Sequence, residues 1–377
     1  MNNPLQRMSE KPKTRIVLTI TELCVGGAEK CLTNLATRLD RTRYEPRVIV
    51  IDAEPPAGQL SLLNELTEAD VPVHFIGATH ATRILFAVRQ MSRLLREIQP
   101  DVVQSFLFHA NVVTAMAAKF AAVGPVLAGI RVADPSRWRL FVERRLRNRF
   151  DRFVCVSDQV ARQLSQSIPA AEDKIEVIPN GIDPQPIAPI DKAALGLDPS
   201  RQLVVFVGRL TEQKGLDKLF PQLPHVFAKF PNVDLALVGD GDQRESLQEL
   251  AEDLGIQSRI HFLGWRADAQ SIIATAELLV LPSRWEGMPN VVLEAMAQGK
   301  PVVANNCEGI KQLLGSYPQQ VVNDSNGLAD RLIEMLDNED LRSACGMSNL
   351  ACVREHFSVK SMVQSYQAMF DKVVNQR

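Results

Sequence analysis

Residues 286–301 read Glu286-Gly-Met-Pro-Asn-Val-Val-Leu-Glu294-Ala-Met-Ala-Gln-Gly-Lys-Pro301, with two carboxylates separated by seven residues across the start of a short helix. Gly287 and Pro289 keep the first carboxylate in a loop, while Gly299 and Pro301 stop the helix that carries the second. Asn290 and Val291 begin that helix, so their N–H groups lack intrahelical acceptors and are candidate phosphate ligands. The arrangement fits a sugar nucleotide. Carboxylates accept hydrogen bonds from hydroxyls, and the helix N-terminus receives a diphosphate.

Outward from this stretch, β-rich runs alternate with amphipathic helical stretches, the rhythm of parallel sheets covered by helices on both faces. In the first half the runs fall near Arg15–Ile20, Arg47–Ile51, Val73–Ile76, Val102–Ser105, Val126–Ile130, Phe153–Ser157 and Lys174–Ile178. The second half restarts at Gln202–Val207 and continues through Asp234–Val238, Arg259–Phe262, Leu278–Leu281, Pro301–Ala304 and Gln320–Val322. Between them, Asp183-Pro-Gln-Pro-Ile-Ala-Pro-Ile190 carries three prolines, which neither a helix nor a central strand accommodates. The expected organisation is a flexible tail over 1–13, an α/β domain over 14–182, a linker over 183–199, a second α/β domain over 200–355 and a terminal helical segment over 356–377.

Composition sets the outer limits. A chain of 377 residues suits two cores better than one, and 46% hydrophobic with 23% charged residues is that of a globular protein in water. A net charge of −2 argues against nucleic acid as a bulk electrostatic partner. Up to residue 185 there are 24 Lys and Arg against 20 Asp and Glu, so the basic excess sits in the first half. No apolar run approaches the roughly 18 residues of a membrane span. The six cysteines, at 24, 31, 155, 307, 345 and 352, have neither Cys-x-x-Cys spacing nor a histidine at zinc distance, and read as reduced thiols of a cytoplasmic protein.

Glu286 and Glu294 resemble the E-x7-E signature of the family 4 retaining glycosyltransferases (glycosyl transferases group 1). Val207-Gly-Arg-Leu-Thr-Glu-Gln-Lys-Gly215 is similar to that family's diphosphate-binding segment. Val238-Gly-Asp-Gly241, Phe262-Leu-Gly-Trp265, Leu281-Pro-Ser283 and Ile178-Pro-Asn-Gly181 fall in the family's order and approximate spacing, and Gly26-Gly-Ala-Glu29 follows the first strand. The resemblance covers nearly the whole chain. It implies the GT-B fold, two Rossmann-like doubly wound parallel-sheet domains facing across a cleft, with the C-terminal helix crossing back onto the first domain. It implies transfer of a hexose-type sugar, with retention and without a metal or other cofactor, from a nucleoside-diphosphate-sugar to a saccharide or lipid-linked acceptor. Cell-surface polysaccharide, lipopolysaccharide or glycolipid synthesis is the expected setting.

Arg209 and Lys214 flank the turn after the first strand of the second half, at the edge where open α/β sheets bind ligands. A guanidinium and an ammonium there would neutralise a departing diphosphate; an ordinary salt bridge in a solvated loop is the plainer reading. The family implies that Glu286 contacts donor-sugar hydroxyls and Glu294 the ribose. Gly208 and Gly241 lie in the matching turns, and Gly287 and Met288 keep the approach to Glu286 open. Gly26 and Gly27, lacking a Cβ, permit close approach of backbone to phosphate or sugar, or simply form a tight turn. Trp265 and Arg266 follow a strand end where family members hold the base, though a packing tryptophan fits there as well. On the acceptor side the candidates are His109, which also suits a helix cap, and Arg131, which stands where the family often has histidine. Asp240-Gly-Asp242 is a turn between strand and helix, not a metal-binding pair, because no further acids cluster with it.

Residues 137–152 hold seven arginines, with Trp138, Val142, Leu146 and Phe150 recurring every fourth residue. One helix with an apolar stripe and a basic face would either pack on the sheet with solvated arginines or make peripheral contact with an anionic membrane on its inner face. Two other activities stay in view. A sugar-nucleotide 2-epimerase shares the scaffold, and a non-catalytic sugar-nucleotide-binding protein shares the donor motifs. A nucleotide-dependent dehydrogenase would need G-x-G-x-x-G after an early strand, and Gly26-Gly27 does not supply it.

Overall fold

A computed structural model describes residues 12–79, 83–132 and 136–376, so the tail expected over 1–13 lies almost wholly outside the described residues. All thirteen β-rich runs are strands. The first sheet holds β1 (Thr14–Ile20), β2 (Tyr44–Val50), β3 (Val73–Phe75), β4 (Val102–Phe106), β5 (Val126–Ile130), β6 (Arg152–Cys155) and β7 (Ile175–Val177), in the order β3-β2-β1-β4-β5-β6-β7. The second holds β8 (Gln202–Val207), β9 (Val233–Val238), β10 (Ile260–Gly264), β11 (Leu278–Leu281), β12 (Val302–Asn305) and β13 (Val321–Val322), ordered β10-β9-β8-β11-β12-β13.

The central strands are apolar without alternation because helices cover both faces. Ile16, Val17 and Leu18 of β1 and Val205 and Phe206 of β8 are fully buried. β2 starts three residues before the expected Arg47, with Pro46 in register with Ile16 of β1. β3 pairs only with Val48–Val50, so the proline's missing N–H falls where no third strand requires it. In the first sheet, Ser105 Oγ donates to Asn111 Oδ1 at 2.6 Å and Asn111 Nδ2 donates to Gly129 O at 3.0 Å, tying the helix Phe108–Ala121 to β4 and β5.

Both sheets reverse their winding beside the first strand, at β1/β4 and at β8/β11. In doubly wound sheets that switch point is where ligands bind, outside the carboxyl ends of the strands. The loops after β8 and β11 carry Arg209, Lys214 and Glu286.

The chain folds as two compact units. Met1–Gly129, Arg137–Val154 and Val363–Arg377 make up one, and Ile130–Ser136 with Cys155–Met362 the other. Within the first unit, Asp371 of the helix Val359–Asn375 accepts a 2.6 Å hydrogen bond from Tyr44 Oη, and Phe370 lies edge-on to the Tyr44 ring at 6.4 Å.

The arginine-rich segment departs from the single helix expected over 137–152. The helix spans Arg137–Leu146, a 3-10 turn covers Arg147–Arg149, and β6 claims Arg152. The apolar stripe is broken with it: Phe150 is buried beside Phe153, whereas Trp138 is 55% exposed. Among the described residues no helix is long and apolar enough to cross a membrane.

Candidate active site

The loops after β8 and β11 touch because of a glycine. Gly215 ends the 3-10 turn Glu212–Lys214 at φ +68°, and a Cβ there would sit 2.3 Å from Pro282 O. This close approach brings Lys214 Nζ to 2.5 Å from Glu286 Oε1, with side chains only 14% and 7% exposed. Ser283 Oγ donates to the same carboxylate oxygen at 2.7 Å. Gln213 Nε2 donates to Trp285 O at 2.9 Å, and Arg284 N donates to Gln213 O at 2.8 Å, fixing the two loops edge to edge. Arg209, on the same turn, is exposed and makes no side-chain hydrogen bond or ion pair among the described residues.

Behind Glu286 the loop is held from three directions. Its N–H donates to Glu308 Oε2 at 3.2 Å, and Glu308 Oε1 accepts from Gln163 Nε2 at 3.1 Å. Gly287 lies against Arg131 O, where a Cβ would be 1.6 Å from the carbonyl oxygen. The Arg131 guanidinium donates to Asn180 Oδ1, while Asn180 Nδ2 donates to Met288 O at 3.2 Å and to Asn290 Oδ1 at 2.6 Å. Arg131 and Asn180 are both buried, so this network fixes the entry to the next helix. That helix, Asn290–Ala297, begins at the expected residue and carries Glu294, which is also buried. Cys307 is buried nearby; burial first, then Glu286 and Glu308, push its thiol pKa up, so it stays protonated.

The remaining donor-side candidates occupy the flanking turns. Gly208 follows β8, and Gly241 packs tightly on the β8 loop, since a Cβ would meet Leu210 O at 2.3 Å. Asp240 Oδ1 accepts from Gly241 N at 2.9 Å and Oδ2 lies 3.6 Å from Arg244 Nη1, which occupies both oxygens locally. Trp265 is 44% exposed, against the packing alternative. Arg266 is clamped on both oxygens of Asp268, at 2.8 and 2.7 Å.

In the first unit, Gly26 caps the helix Gly27–Arg38. The buried carboxylate of Glu29 lies over it, 2.3 Å from where a Cβ would be, at the positive end of the helix. His109 sits exposed in the first turn of Phe108–Ala121. Partial desolvation, then the Arg139 charge, lower its pKa, an effect that solvent screens at so open a site.

Sequence reasoning did not single out Ser283, Asn180, Glu29 or Glu308. The first three lie inside motifs that carry the resemblance by order and spacing or, at Gly26-Gly27, by their glycines. Glu308 carried no signal, because its contact with Glu286 comes from the packing of the β12 loop on the β11 loop.

The chain matches the family model for Glycosyltransferase Family 4 over residues 25–186 and that for glycosyl transferases group 1 over residues 201–338. It is 27% identical over 356 residues to the lipopolysaccharide core biosynthesis glycosyltransferase LpsD of Rhizobium meliloti (strain 1021), covering 93% of this chain and 97% of that one. Among solved structures it resembles Anabaena Alr3699/HepE in complex with UDP and glucose, with TM-score 0.82 and 24% identity over 95% of this chain and all of that one. WaaG, a glycosyltransferase involved in lipopolysaccharide biosynthesis, superposes with TM-score 0.73 at 17% identity over 94% of this chain and 99% of that one. None of these similarities favours the epimerase reading.

Proposed function

The chain belongs to the GT-B glycosyltransferases, family 4 and group 1, and from that premise we propose that it transfers a hexose-type sugar, with retention, from a nucleoside diphosphate to a saccharide or lipid-linked acceptor. The observation that carries this reading is the contact of Lys214 with Glu286 at the switch point of the second sheet. It sets a cation for the leaving group beside a carboxylate for the sugar. Arg209, Lys214 and the N–H groups of Asn290 and Val291 take the diphosphate, Glu286 the sugar hydroxyls and Glu294 the ribose. Gly208, Gly241, Gly287 and Met288 shape the approach, and the backbone of Trp265 and Arg266 meets the base. In the first unit, Gly26 and Gly27 take phosphate or sugar and His109 serves the acceptor. Arg131, held on Asn180, positions the Glu286 loop.

The bond from the anomeric carbon to the diphosphate oxygen breaks as the acceptor oxygen bonds the same face of that carbon. The acceptor's proton passes to the departing phosphate. Catalysis is then positioning plus stabilisation of the leaving charge. The similarity to LpsD supports lipopolysaccharide or glycolipid synthesis as the setting.

The test is incubation with UDP- and GDP-hexoses and acceptor glycolipids in EDTA, following free nucleotide and the anomeric configuration of the product by NMR. Acceptor-dependent nucleotide release with a retained anomer is expected. Recovery of the donor as its C2 epimer would overturn transfer, an inverted product would overturn retention, and activity lost in EDTA but restored by Mn²⁺ would overturn metal independence.

A further inference from the structure

Lys214 and Glu286 are both assigned to the donor, yet each already has a partner in the other. Lys214 Nζ donates to Glu286 Oε1 at 2.5 Å, with the side chains 14% and 7% exposed. A donor needs the two charges elsewhere, the ammonium on phosphate and the carboxylate on sugar hydroxyls. One ammonium shared between carboxylate and phosphate would hold two like charges together in a site nearly shut from water, where their repulsion is poorly screened. The pair therefore has to open for the diphosphate to be neutralised.

The surroundings of the pair suit such an exchange. The end of the Lys214 stem lies beside Gly208, where a Cβ would be 3.4 Å from Lys214 Cε. Rotation about the last bonds of that flexible stem moves the ammonium without moving the loop. Arg209, next after Gly208, is exposed and marks the side from which an anion arrives. Glu286 is not stranded when the ammonium leaves, because Ser283 Oγ donates to the same Oε1 at 2.7 Å and sugar hydroxyls add to it. We propose that the Lys214–Glu286 pair sets the specificity of the site for a diphosphate. The outer phosphate of a nucleoside diphosphate draws Lys214 off Glu286, whereas a nucleoside monophosphate leaves the pair closed. The outer phosphate is the one bonded to the sugar, so it alone lies next to both the ammonium and the group that Glu286 receives. Opening frees Oε1 for the sugar in the same event that neutralises the leaving group. Once the sugar has moved to the acceptor, Glu286 reclaims Lys214 and the product nucleotide is released. This role rests on the transfer reading of the site and adds to it the order in which the groups engage.

The experiment is isothermal titration calorimetry of the full chain with UDP, GDP, UMP and GMP, without acceptor. Glu286 competes with the nucleotide for Lys214, so Glu286→Gln should tighten the diphosphate about tenfold, as for an open pair populated about one-tenth of the time, and leave the monophosphate unchanged. Glu286→Asp keeps the charge but draws the carboxylate back by one methylene. It should tighten the diphosphate as well, which loss of a repelling charge does not explain. In the Lys214→Met background Glu286→Gln should lose most of its effect, since there is no ammonium to release. Melting temperatures show which variants are folded, and Glu286→Asp carries the test if Lys214→Met is not. Diphosphate affinity unchanged or weakened in both Glu286 variants would overturn the proposal. So would equal tightening by Glu286→Gln with and without Lys214, the mark of simple charge repulsion, or equal tightening of the monophosphate. Failure of the wild type to bind any of the four nucleotides would overturn the donor-site reading itself, and the exchange with it.

Discussion

The ammonium of Lys214 lies 2.5 Å from the carboxylate of Glu286, 72 residues away, and both are nearly sealed from solvent. Arg209, five residues before Lys214, is open to it. Lys214→Ala and Arg209→Ala should each lower turnover, by on the order of 10²–10³ if each stabilises the departing diphosphate. Only Lys214→Ala should also lower stability, by about 3 kcal/mol, because it strands a buried carboxylate. Single-turnover kinetics beside denaturant titration separates the two effects; equal stability of both variants would contradict the buried pairing.

Glu308 acts one step removed, accepting the N–H of Glu286 and the amide of Gln163. Glu308→Ala should release the loop and lower kcat/KM about tenfold, the size of one charge-assisted hydrogen bond. Glu308→Gln keeps an acceptor oxygen and should recover most of the loss. A purely electrostatic role for Glu308 predicts the opposite, with Gln no better than Ala.

How far these contacts were legible in the sequence depends on their range. The strands around Val17 and Val205 are apolar runs bounded by turns, and a parallel sheet follows from their spacing. Asn290 was readable as a helix start from the proline before it. The helix ends at Leu146, short of the expected 152, because sheet pairing takes Arg152 into β6 although the fourfold apolar spacing runs on through Phe150. Lys214 and Glu286 were each visible in a motif, but their mutual distance is set by tertiary approach at Gly215 and Pro282. Glu308 carries no sequence signal, and Asn180 shows only as a motif residue without its contacts, for the same reason: hydrogen bonds between loops distant in sequence leave no periodic trace.

Gly287 should tolerate no side chain. A Cβ would lie 1.6 Å from Arg131 O, a backbone atom and not the far end of a flexible side chain, so one loop must move. Gly287→Ala is expected to destabilise by about 1–3 kcal/mol, as overpacking does, and to weaken donor binding through displacement of Glu286. Thermal unfolding with and without UDP measures both, and an unchanged melting temperature would show the approach to be looser than described.

Asp234, at the start of β9, gives the pH prediction. Its Oδ1 accepts from Arg201 at 2.9 Å and Arg259 at 2.8 Å, and His261 Nε2 lies 3.0 Å from Oδ2. The side chain is only 5% exposed. Burial pushes its pKa up, but the hydrogen bonds from Arg259, His261 and Arg201 outweigh it and leave the carboxyl below its ordinary value. A folded pKa below the unfolded value of about 3.9 means the contribution to stability is fully present above that pH and is lost as pH falls through the folded value. Asp234→Asn should therefore cost about 3 kcal/mol at pH 7, where two arginines lose a buried partner, and proportionally less near pH 3. Urea midpoints of both proteins at the two pH values test the sign. A gap between wild type and variant that widens on acidification would show that Asp234 is not held ionised by its three partners.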